Sequence, residues 1–149
     1  MTPAEVWLLI RGLVAIGALM FAASAWWRWR ERSLFRPDGA REAEEAMWTA
    51  LGIPSHRRPR VYYRRTSTPP YYVNVAWGTK RAGESGRGWM KVAWWDGATF
   101  AGTEMDHEGA HHALWILDGV PMGTHDEDDP RLAAYEERAQ AALAAHDAG

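Results

Sequence analysis

The residues best suited to chemistry stand together in the string His107-Glu108-Gly109-Ala110-His111. Histidines at i and i+4 lie about one turn apart on one helix face and can reach the same ion. The chain has no cysteine, so any metal must be held by histidine and carboxylate, a donor set that suits Zn2+. Glu108 projects near the same side, where it can take the proton of a water that the zinc has made more acidic. Two metal ligands, His107 and His111, and one general base, Glu108, are thus the expected roles. The plainer alternative is a pair of solvated or core histidines. His112 points about 100° away around the helix and reads as a packing residue.

These residues need a helix under them and a sheet beside them. Thr103-Glu104-Met105-Asp106 matches a capping box, with Asp in place of the commoner Glu, and predicts a helix from there to Asp118-Gly119. Three preceding runs, 60–65, 71–77 and 89–95, are rich in Val, Tyr and Trp and predict strands in an antiparallel meander, broken by Pro69-Pro70 and by a glycine-rich loop over 78–88. Asp38 is placed to cap a helix over 40–51 whose apolar face holds Ala43, Met47, Ala50 and Leu51. Asp129-Pro130 is a good helix start, and 131–146 carries the stripe Leu132, Tyr135, Ala139, Ala142 and Leu143.

Residues 6–27 form an apolar run of 22 residues broken by one charge, Arg11, which suits a helix crossing roughly 30 Å of hydrocarbon. Trp26, Trp27 and Trp29 suit one membrane interface, and Arg11 can snorkel toward the other. The alternative is a signal peptide cleaved after Ala23-Ser24-Ala25. Arg28, Arg30, Arg32 and Arg36 follow the run, and such cationic flanks stay inside, so the remaining domain is expected in the cytoplasm of a single-pass protein. The division expected is a transmembrane helix or signal anchor over 1–30 and one domain over 31–149.

The net charge of −2 hides an asymmetry: residues 1–100 hold 15 Lys/Arg and 8 Asp/Glu, whereas residues 101–149 hold 2 and 11. An acidic face is usually only a solvated face, but it also concentrates cations near the histidines. Arg57, Arg58, Arg60, Arg64 and Arg65 around Tyr62 and Tyr63 form a short basic and aromatic pattern. An ordinary charged strand or contact with anionic lipid explains it better than nucleic acid, which ranks last among partners.

On the string HEGAH the chain resembles the zincin metallopeptidases over roughly residues 60–146. The resemblance implies an α+β fold with a short, mainly antiparallel sheet beside an active-site helix, and a peptide or protein as substrate. It also implies that the strand over 89–95 is the edge strand that binds extended peptide. The chain departs from metzincins, because Leu114 and Leu117 stand where that pattern requires glycine and histidine. His125, fourteen residues after His111, is similar to the downstream histidine of SprT-like minimal peptidases and is the leading third zinc ligand. Gly123-Thr124-His125-Asp126 also matches the GTxD string of aspzincins without the tyrosine-glycine that follows there, which makes Asp126 the second candidate. Glu136 or Glu137 would fill the gluzincin role and come third, with solvated helix charges as their plainer reading. A carboxylate of the run 126–129 can instead orient an imidazole ligand.

The function expected is therefore that of a membrane-tethered, zinc-dependent metallopeptidase. The competing class is a membrane-anchored structural or interaction protein whose histidines hold zinc for stability, or hold nothing.

Overall fold

The computed structural model describes residues 1–67, 69, 83–123 and 128–149, and of residues 31–34 only the backbone. It divides into two units, Met1–Leu34 and Phe35–Gly149.

The first unit is a single helix, α1 (Pro3–Leu34). Thr2 and Glu5 start it reciprocally: the Glu5 amide donates to Thr2 Oγ1 at 3.3 Å, and the Thr2 amide donates to Glu5 Oε2 at 2.6 Å. Its apolar stretch covers Pro3–Arg30 with a mean hydropathy of 2.1, long and apolar enough to cross a membrane.

The second unit is α+β. In chain order it holds α2 (Ala40–Leu51), a 3-10 turn (Ser55–Arg57), β1 (Arg60–Arg65), β2 (Gly83–Gly86), β3 (Trp89–Trp94), α3 (Met105–Asp118) and α4 (Pro130–Ala148). The sheet order is β1-β3-β2. β1 pairs with β3 in parallel, Val61 opposite Met90 and Tyr63 opposite Val92, whereas β2 pairs with β3 antiparallel. The sheet is therefore mixed, and the antiparallel meander expected from the sequence is corrected. A parallel pair needs a long connection, and residues 66–88 supply one that comes back through β2. The expected strand over 71–77 lies outside the described residues. Part of the expected glycine-rich loop is instead the strand β2. β3 lies between two partners, so the expected edge strand over 89–95 is a central one.

Alternation places Val61 and Tyr63 of β1 and Met90 and Val92 of β3 on one face, all buried. The helices bring their own stripes to that core: Ala43, Met47 and Leu51 from α2, and Leu132, Tyr135, Ala139 and Leu143 from α4. Full burial of a side chain such as Leu51 or Leu143 contributes roughly 1.5–3 kcal/mol.

The end signals read from sequence hold at two places. Gly119 stops α3 in the left-handed region at φ 71°, its amide donating to the Trp115 carbonyl at 3.0 Å. Asp129 caps α4 through the Arg131 amide at 2.9 Å, with proline in the first turn. Two other caps are corrected. Gly39 at φ 77° occupies the cap of α2, without a side-chain bond from Asp38. The cap of α3 is Glu104, and no capping box forms: the Thr103 hydroxyl donates backward to the Phe100 carbonyl at 2.7 Å, and Asp106 accepts from the adjacent His107 amide at 2.8 Å.

Candidate metal centre

α3 presents two faces of different character. Met105, Ala110, Ala113 and Leu114 enter the core, while His107 and His111 lie half-buried on the flank. The two imidazoles stand edge to face, with centroids 4.4 Å apart and planes at 86°. Their Nε2 atoms approach to 2.9 Å. His107 turns its other nitrogen, Nδ1, to Oε2 of Glu136 on α4 at 3.4 Å.

Glu108 leaves this flank and tucks under β2, where it is 7 % exposed. Its Oε2 accepts a hydrogen bond from the Ser85 hydroxyl. The strand can lie so close because position 83 has no side chain: a Cβ there would come within 2.7 Å of Glu108 Cγ and 2.9 Å of Glu104 Cβ. Glu108 and His111 share a cavity of about 170 Å3 with Gly83, Glu84, Ser85, Met122 and Gly123. At roughly 30 Å3 per water, that is room for an ion and a few waters.

The electrostatics of the site pull in opposite directions. Burial pushes the Glu108 carboxyl up, the Ser85 hydroxyl and His107 draw it back, and Glu104 and Glu84 push it up again, so it ends above the ordinary carboxylate range. Burial pulls His107 down, but the Glu136 hydrogen bond and the charges of Glu136, Glu108 and Glu104 outweigh it and leave the ring raised. Asp106 is pushed up to about 6, first by burial and then by Glu136 and Glu104 against the His107 amide.

His112 is wholly buried, as a packing residue should be. Its Nε2 donates to the Trp89 carbonyl at 3.0 Å, and burial holds it down at about 4.

Of the residues marked in the sequence, His107, Glu108 and His111 come together. Glu136 joins them through His107 Nδ1, and Glu137 is exposed. His125 and Asp126 lie outside the described residues. Among the described residues no three histidines or carboxylates group to hold a metal. Set against known protein families, curated proteins and solved structures, the chain matches none.

Ser85 and Gly83 escaped the sequence reading. The signal available was the run Gly83-Glu84-Ser85-Gly86, where two glycines mark a close backbone approach.

Proposed function

We propose that the chain is a membrane-tethered zinc metallopeptidase in which His107 and His111 hold Zn2+ through Nε2 and Glu108 is the general base. The observation carrying this reading is the meeting of the two Nε2 atoms at 2.9 Å beside a buried glutamate that shares a cavity with His111. The two imidazoles suit a shared ion, for which a third ligand is still required. Two nitrogens bound to one tetrahedral zinc at about 2.1 Å lie roughly 3.4 Å apart, so this pair, at 2.9 Å, would need to open by about half an ångström.

When bound, zinc supplies Lewis acidity, polarising a peptide carbonyl and making water a better nucleophile at neutral pH. The chain's own residues handle the proton. The Ser85 hydroxyl engages Oε2 of Glu108, which leaves Oε1 to accept a proton from the attacking water as the new C–O bond forms. The same oxygen then returns that proton to the amide nitrogen as the C–N bond breaks, so Glu108 ends as it began.

The deciding experiment uses the full chain in detergent micelles. Glu108→Gln is expected to bind one equivalent of zinc and to lose hydrolysis of an unfolded protein substrate by about a hundred-fold or more. Unchanged turnover in that variant overturns the mechanism, and a wild-type chain holding less than half an equivalent of zinc overturns the metal site. The cationic flank Arg28, Arg30, Arg32 and Arg36 supports a cytoplasmic location for the domain. Digestion of a C-terminal tag by protease added to intact cells would reverse that topology.

A further inference from the structure

The Glu136 carboxylate lies against the edge of His107 opposite to the one that faces His111. A neutral imidazole carries its proton on one nitrogen and binds metal through the other. For His107 to offer a bare Nε2 to the point it shares with His111, the proton must sit on Nδ1. A carboxylate can only accept, and Oε2 of Glu136 stands 3.4 Å from that Nδ1.

We infer that Glu136 is a positioning residue, which holds the His107 ring and its proton so that Nε2 is presented bare toward His111. The inference rests on the metal reading above and deepens it.

The placement of Glu136 is set by packing. Leu132 and Ala139, four residues before it and three after, are buried in the seam that α4 makes with the rest of the unit. Tyr135, the preceding residue, donates from its hydroxyl to Asp118 Oδ2 at 2.8 Å, tying α4 to the end of α3. Glu136 is left on the α3-facing flank with 39 % of its side chain exposed, whereas Glu137 turns outward. The side it addresses decides its role. A third zinc ligand would reach the Nε2 edge, and Glu136 reaches the Nδ1 edge. Carboxylates in this position fix the tautomer and raise the basicity of a ligating imidazole, and their loss typically weakens metal binding ten- to a hundred-fold.

The test measures zinc affinity of the full chain in detergent by competition with a chromophoric chelator. Glu136→Ala is expected to weaken zinc binding by about ten-fold or more. Glu136→Gln keeps a carbonyl acceptor for Nδ1–H and should recover most of that loss, and Glu137→Ala should change nothing. A second reading needs no metal. In chelator-treated protein labelled with 15N at histidine, NMR at a pH above the titration of the raised His107 ring should show it mainly as the Nδ1–H tautomer in the wild type and as a mixture in Glu136→Ala. Wild-type zinc binding that survives Glu136→Ala undiminished overturns the inference while leaving the metal site standing. Equal losses in the Ala and Gln variants also overturn it, since they would make Glu136 a direct ligand. A wild-type chain that binds no zinc overturns the metal reading instead.

Discussion

His112 ties the stability of the second unit to pH. The ring is fully buried, edge-on to Trp48 with centroids 6.3 Å apart, and donates from Nε2 to the Trp89 carbonyl at 3.0 Å. Its Nδ1 is buried without a partner among the described residues, so the folded state holds the neutral ring. Burial, only partly offset by the Trp89 carbonyl, lowers its pKa from 6.5 to about 4. Between those values the unfolded chain binds the proton and the folded chain does not, so stability is intact above 6.5 and falls as the pH drops toward 4. The whole interval is worth roughly 3 kcal/mol. Asp106 works the other way. Its carboxyl is raised from 3.8 to about 6, so the folded state binds more protons in that window and acid relieves a penalty. The wild-type curve mixes both, and the difference against His112→Gln isolates the histidine, because the amide can keep the bond to Trp89 and has no charge to gain. Urea unfolding of metal-stripped full chain in detergent, between pH 7 and pH 4.5, should show the wild type losing about 2–3 kcal/mol more than the variant. Parallel curves across that range would refute the assignment of this histidine as neutral and buried.

Two further perturbations probe the walls of the site. Gly83→Ala forces a Cβ against Glu108 and against Glu104 Cβ, which no rotamer change can move, so overpacking of about 1–3 kcal/mol should exceed a gain of at most about 1 kcal/mol from a stiffer unfolded chain; a urea midpoint equal to wild type would contradict the close approach of β2. His125→Ala should weaken zinc binding ten-fold or more, on the order of 1.4 kcal/mol, with Asp126→Ala doing less. Chelator competition checks both, and the reverse order would transfer the ligand role to Asp126.

The legible parts of this fold are local ones. The helix bearing His107 and His111 could be bounded from Gly119, and α4 from Asp129-Pro130, because caps and terminators act within a turn or two. β1 and β3 could be located from alternation, but a period of two has no direction, so the same pattern fits a parallel or an antiparallel neighbour. β2 was hidden because Gly, Glu and Ser are poor strand formers; what places it is its fit over α3. The site divides in the same way. The i, i+4 pair follows from helix geometry alone, whereas Ser85 meets Glu108 across 23 residues and Glu136 meets His107 across 29, contacts that depend on packing between elements.

The same contacts govern what Glu108 can do. A carboxyl at its ordinary 4.5 in open water is a weak base near neutrality, and one buried without partners keeps its proton and is no base at all. Here burial and the charges of Glu104 and Glu84 raise it, while the Ser85 hydroxyl and His107 hold it back. Both neighbouring elements act in both directions: from β2, Glu84 raises it and Ser85 lowers it, and from α3 and its cap, Glu104 raises it and His107 lowers it. How closely β2 lies on α3 therefore governs the burial of Glu108 and its contacts with Ser85 and Glu84, and that closeness depends on the absence of a side chain at Gly83.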